Sequence, residues 1–303
     1  MNEPAKHTTV AIIGGGPAGV SAAIQLKRSG IDFLLFEKEK IGGLLKNANF
    51  VENYPGFPRG ITGKKLIKLM REHLDWIDID VNFEKVTNLS YSNDKFFIKT
   101  EKSRYLSDFC IIASGTKANA IPTLEIKDMF ADRVFYEVYS LSEVKDRTIS
   151  IVGTGDAAFD YALNLSQNND VIILNRTDRT RCLPLLKQRC SQKSNIAYKE
   201  YITVEKISLT GGRLLLNCMF FNEQSEIKAD YLLIAVGRSP ALDFIDDSVM
   251  NRGKALEKSG KLYYAGDVRN ELYRQASIAI GNGIKSAMKI HSKLKEKANE
   301  NKS

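Results

Sequence analysis

Gly14, Gly16 and Gly19 lie in the run Gly14-Gly15-Gly16-Pro17-Ala18-Gly19, between an apolar β-branched stretch and an amphipathic one. Glycines so placed bare main-chain N–H groups at the positive end of a helix, where a pyrophosphate binds. Such a run is a weak signal on its own. Here Glu37, followed by Lys38, ends the next apolar strand about 20 residues on, where a carboxylate accepts hydrogen bonds from ribose hydroxyls.

A second run, Gly153-Thr154-Gly155-Asp156-Ala157-Ala158, repeats the turn with a difference. Its following strand ends in Asn175 and Arg176, with Arg181 beyond, and no carboxylate stands there. An acidic side chain repels a 2′-phosphate and arginine grips one with a charge-assisted fork, so this site favours NADPH over NADH. A solvated basic helix start is the bland alternative for the two arginines.

Other chemistry finds little support. Cys110, Cys182, Cys190 and Cys218 form no C-x-x-C pair and no metal-ligand spacing with His7, His73 and His291, so no metal is expected. Cys110 and Cys218 read as buried thiols in strands, and Cys182 and Cys190 are left open. The net charge of +8 arises from 44 Lys and Arg against 36 Asp and Glu, spread with no dense block. Nucleic acid is not an expected partner, and the alternatives are a solvated surface or a docking face for an acidic redox protein. No apolar run is long enough for a bilayer span, and residues 1–9 read as a short tail without secretory character, so a cytoplasmic address is expected. The Lys-rich end reads as a fraying helix and polar tail.

The elements that must hold these turns repeat. Strand, glycine turn, helix and strand occur from Thr8 and again from Arg147. Each unit is followed by an alternating stretch, residues 81–105 and 196–228, that reads as an antiparallel meander. Each meander closes alike, Asp108 to Gly115 aligning with Asp230 to Gly237. The closing segment, with one more strand and a long helix, returns to the first copy. The expected fold is α/β: two Rossmann-like, three-layer ββα nucleotide-binding domains, each with a small antiparallel meander, the second inserted in the first. The crossings are expected near Gly115–Ala120 and Gly237–Pro240.

Taken together, the two turns, Glu37, Ile41-Gly42-Gly43, Val51-Glu52-Asn53-Tyr54-Pro55-Gly56, Ala265-Gly266-Asp267-Val268 and Tyr273-Arg274-Gln275-Ala276 resemble the low-molecular-weight thioredoxin reductases over nearly the whole chain. The resemblance implies FAD in residues 1–115 and 240–303 and NAD(P)H in residues 116–239. It places FAD beside Gly14, Gly16, Pro17, Ala18, Gly19, Glu37, Lys38, Gly43, Leu44 and Asn53. Val86 would border the adenine, and Gly266, Asp267, Arg274, Gln275 and Ala276 the ribityl chain and flavin ring. For NADPH it implies Gly153, Gly155, Asp156, Ala157, Ala158, Asn175, Arg176, Arg181 and Gly237. A homodimer is also implied.

The departures carry the functional expectation. The family's redox cysteines fall on Tyr136 and Tyr139, its acid on Ser140, and its usual flavin-side Gln on Leu44. A tyrosine supplies no thiolate to take flavin electrons. Either Tyr136 or Tyr139 packs on the flavin, or both pack as ordinary interface residues. The expected activity is NADPH oxidation through the flavin itself, with no catalytic side chain. The acceptor would be a small molecule or an acidic carrier, as in ferredoxin and flavodoxin NADP reductases of this fold. The alternatives are disulfide reduction through Cys182 and Cys190, and a non-catalytic redox sensor.

Overall fold

The computed structural model describes residues 5–300, which group into two compact units. The first unit is Met1–Lys46, Val51–Thr116 and Pro240–Ser303; the second is Asn47–Phe50 and Lys117–Ser239. The second unit interrupts the first. Asn47–Phe50 groups with the second because the Asn47 side chain donates to Glu137 and accepts from the Tyr139 N–H at 3.2 Å, while the Asn49 N–H donates to Asp160 at 3.1 Å.

In the first unit β1 (Lys6–Ile13), α1 (Pro17–Arg28), β2 (Phe33–Phe36), α2 (Gly63–Trp76) and β3 (Val81–Asn82) alternate, and the helical crossovers leave the three strands parallel in the order β3-β2-β1. β1 starts at Lys6, so the expected tail is shorter than residues 1–9, and residues 1–4 of it lie outside the described residues. β4 (Val86–Ser92), β5 (Lys95–Thr100) and β6 (Arg104–Ile112) form an antiparallel meander. The near half of β6 pairs with β5, and along its length β6 runs parallel to β1. Its far half, Phe109–Ile112, is wholly buried.

From β7 (Thr116–Ala118) the chain enters the second unit: β8 (Val134–Phe135), β9 (Thr148–Val152), α3 (Asp156–Leu165), β10 (Asp170–Leu174), α4 (Pro184–Ser191) and β11 (Ile196–Lys199). β12 (Ile202–Thr210), β13 (Arg213–Phe220) and β14 (Glu223–Ala229) make a separate antiparallel sheet, and β15 (Tyr231–Ile234) closes a parallel sheet of order β11-β10-β9-β15-β8. Both expected meanders therefore begin too early. Val81–Asn82 and Ile196–Lys199 each follow a helix rather than a tight turn, and a strand reached by a helical crossover joins its neighbour in parallel.

β16 (Arg238–Pro240) pairs with β7, so the outgoing and returning segments form one two-stranded ribbon. Beyond it come α5 (Asp247–Met250), α6 (Gly253–Lys258), β17 (Leu262–Tyr264) and α7 (Ala276–Glu300). β17 extends the first sheet, pairing with the far half of β6. α7 packs on α1 so closely that a Cβ on Gly283 would stand 2.0 Å from the Ala18 carbonyl oxygen. The expected fraying is not seen, since α7 runs unbroken to Glu300; the rest of the tail, residues 301–303, lies outside the described residues. Among the described residues no helix is long and apolar enough to cross a membrane.

Candidate functional site

The two glycine turns are built to one plan. Gly14 has φ +113° and Gly153 φ +138°, and a Cβ on either would collide with a carbonyl oxygen, Ala113 at 2.3 Å and Ala235 at 2.2 Å. Those alanines occupy matching places at the ends of β6 and β15, and their N–H groups donate to Ile13 and Val152, each at 2.8 Å. Each turn is thus pressed against the strand end beside it, and only glycine fits.

Both turns lead into uncapped helices. Gly16 and Gly155 are the N-caps of α1 and α3, and neither helix start receives a side-chain cap. The first-turn N–H groups, with the positive end of each helix dipole, are left for an anion. Gly19 is obligatory because its Cβ would fall 1.8 Å from the Gly14 carbonyl oxygen; the second copy accepts the fully buried Ala158 there.

The copies then diverge. In the first, Glu37 is buried and turned onto the turn itself: its carboxylate accepts from the Gly15 N–H at 2.7 Å and from the Glu39 N–H at 2.9 Å. A carboxylate has about four acceptor sites, so capacity for ribose hydroxyls remains. The Gly42 N–H donates to the Gly15 carbonyl at 2.8 Å, and Gly43, φ +53°, would bring a Cβ to 3.2 Å of the Gly16 Cα. Bare backbone therefore surrounds Gly16.

In the second copy Arg181 occupies the place of Gly42, its N–H donating to the Thr154 carbonyl at 2.9 Å. Asn175 stands where Glu37 does, and its side chain shapes the loop: Nδ2 donates to the Arg179 carbonyl at 3.1 Å and the Tyr198 hydroxyl at 2.8 Å, while Oδ1 accepts from the Thr177 N–H at 3.1 Å. That loop holds Arg176, Arg179 and Arg181, all exposed. Arg179 was missed from the sequence, where nothing marks it apart from its neighbours. The Asp156 carboxylate at the head of α3 accepts the Leu183 N–H at 2.7 Å, so it is engaged by the same loop.

The remaining expected FAD residues gather in the first unit. Asn53 Nδ2 donates to Gln275 Oε1 at 2.7 Å, joining two motifs far apart in sequence. Gly266, φ +81°, would place a Cβ 2.9 Å from that of Ala18, and its N–H donates to Asn282 Oδ1 at 3.3 Å. Asp267 and Arg274 are half-buried between that turn and Ala276, which opens α7. Asn282 and Gly283 also order this corner, and both sit unremarked in the α7 sequence. Val86 points its side chain into the unit's core, Leu44 is half-buried, and Lys38 is on the surface, 3.8 Å from Glu39. Gly237, φ +111°, accepts the Asn119 N–H at 3.0 Å beside the ribbon.

Around the positions of the family's redox pair, Tyr136 is half-buried against its own unit's core and Tyr139 is 41% exposed. Between them Glu137 forms an ion pair with Arg238 at 2.8 Å, which sequence spacing gave no hint of. The four cysteines are free thiols. Burial pushes Cys190 up to about 12 and Cys218 up to about 11, and it also raises Cys110 and Cys182. Raised thiols are poorer sources of the thiolate that disulfide exchange uses.

The chain matches the pyridine nucleotide-disulphide oxidoreductase family over residues 8–283. It is 29% identical to a thioredoxin reductase of Chlamydia pneumoniae, the match covering 93% of this chain and 97% of that protein. A 34.2 kDa protein in the rubredoxin operon of Clostridium pasteurianum is 27% identical, over 93% of this chain and 96% of that one. Among solved structures, the thioredoxin reductase of Lactococcus lactis superposes with a TM-score of 0.84 at 26% identity, covering 95% of this chain and 99% of that one.

Proposed function

The chain belongs to the pyridine nucleotide-disulphide oxidoreductase family and is an FAD-dependent NAD(P)H oxidoreductase of thioredoxin-reductase type; from that premise we propose that it oxidises NADPH and passes the electrons directly from flavin to an external acceptor, without a protein dithiol. The observation that carries this reading is the pair of matched glycine turns, one backed by Glu37 and the other ringed by Arg176, Arg179 and Arg181. The first turn, with Gly43, Asn53, Gly266, Asp267, Arg274, Gln275 and the head of α7, would hold FAD. The second, with the arginine loop and Gly237, would hold NADPH.

When bound, FAD supplies a two-electron acceptor for the nicotinamide hydride and a donor to the final acceptor. The chain's own residues bind and orient. The uncapped starts of α1 and α3 neutralise the two pyrophosphates, Glu37 fixes the adenine ribose of FAD, and the arginine loop neutralises the 2′-phosphate. A small redox protein fits as acceptor, a reading supported by the relative encoded with rubredoxin. The family's homodimer and a cytoplasmic setting belong to the same reading.

The test is the double variant Cys182→Ser/Cys190→Ser. NADPH-driven reduction of a small quinone should stay within about twofold of the parent, since burial pushes both thiols up, away from the reactive thiolate. A loss of turnover with flavin and fold intact would show that electrons travel through these thiols.

A further inference from the structure

Between Arg252 and Glu300, eleven Lys and Arg stand against five Asp and Glu, a net +6 out of the chain's +8. Most of the net positive charge therefore sits in the segment that forms α6, β17 and α7, although most of the chain's Lys and Arg lie elsewhere. Along α7, α6 and the Gly260 turn leave an open groove of about 680 Å³, continuous with a second hollow of about 490 Å³ that shares Lys258, Tyr263, Lys285 and Lys289. Its floor is apolar, with Tyr263, Ile284 and the 54% exposed Met288.

The rim is basic. Lys285, Lys289 and Lys293 succeed one another at four-residue spacing on one stripe of α7, and Lys258 faces them from the end of α6. Of the groove's acids, Glu257 is taken up by Arg269, and Glu296 lies at the far end. Lys258, Lys285 and Lys289 are exposed and enter none of the ion pairs among the described residues. Like charges four apart weaken a helix, so folding alone gives no reason for the stripe. An apolar floor with a cationic rim is the complement of an apolar contact patch ringed by carboxylates.

We propose that this groove between α6 and α7 docks the acidic face of the small electron-carrier protein that takes the enzyme's electrons. The proposal rests on the function proposed above. The groove begins at Gly281, about 8 Å along α7 from Ala276 at 1.5 Å per residue. A docked carrier therefore flanks the corner assigned to FAD within the same unit.

The experiment compares the holoenzyme with its Lys285→Glu/Lys289→Glu variant. Three acidic carriers, a ferredoxin, a flavodoxin and a rubredoxin, serve as protein acceptors, and a neutral benzoquinone as the small one. At low salt the variant should lose about tenfold or more in kcat/KM for the preferred carrier, mostly through KM, and keep its benzoquinone rate. The parent's carrier rate should fall between about 20 and 200 mM salt, and the variant's much less. Equal carrier kinetics in parent and variant would overturn the proposal, as would equal losses with carrier and quinone. A change from dimer to monomer with carrier turnover intact would assign the groove to a second copy of the chain. Benzoquinone turnover with none of the carriers reduced ends the docking proposal alone, whereas no NADPH oxidation with any acceptor ends the function on which it rests.

Discussion

Asn175 and Glu37 occupy equivalent places at the ends of β10 and β2, and the exchange of one for the other divides the two proposed dinucleotide sites. Glu37 would offer negative charge to a ribose. Asn175 offers none and spends its amide on a loop that presents three arginines, so the difference reaches charge and local shape together. Replacing Arg176 and Arg181 by Ala should raise KM for NADPH by about tenfold or more and change KM for NADH by less than about twofold, because each charge-assisted bond to phosphate contributes about 1.5–3 kcal/mol. Steady-state kinetics with both nucleotides checks this, and equal effects on both would refute the phosphate assignment. The glycine turns were legible in the sequence because their residue type is dictated by φ and close approach, and Glu37 and the arginines flanking the second turn were picked out by charge. Arg179, Asn282 and the Glu137–Arg238 pair were not, since their roles depend on tertiary neighbours.

Elements were legible where one periodicity dominates, as in β1, α1, β9 and α3. The third parallel strand of each sheet was not, because a two- to four-residue strand after a helix carries too little pattern to tell parallel from antiparallel pairing. A similar long-range tie fixes the meander of the first unit. At the β4–β5 turn, where Asn93 and Asp94 both have positive φ, Tyr91 donates to Asp94 at 2.7 Å and Lys261, just before β17, donates to the same carboxylate at 2.7 Å. Burial first, and then the bond to Asp94, push Tyr91 up to about 12. A raised folded value means that the native state holds the proton, so the contribution is whole below about pH 10, the unfolded value, and is lost as pH rises through about 12. Tyr91→Phe should lower stability at neutral pH by about 0.5–1.5 kcal/mol, the net worth of one hydrogen bond. The gap in Tm between parent and variant should close between about pH 10 and 12. A constant gap across that range would show that the hydroxyl is not the titrating contact.

At the scale of the molecule, the sequence repeat and the division of the fold into two compact units describe one chain at two levels. The groove beside α7 stays hidden at that scale. Its lysines are four residues apart on one helix and opposite the end of another, and only packing sets them around one apolar floor. The same separation of scales governs electron flow. On the function proposed above the flavin alone would store electrons between NADPH and the acceptor, because the four cysteines are free thiols and burial raises each of them. The most direct measurement is an anaerobic titration of the FAD-loaded protein with NADPH, following flavin absorbance and counting equivalents. Complete bleaching at one two-electron equivalent per flavin is the predicted result; a requirement for a second equivalent, or no bleaching at all, would contradict direct transfer from NADPH through flavin.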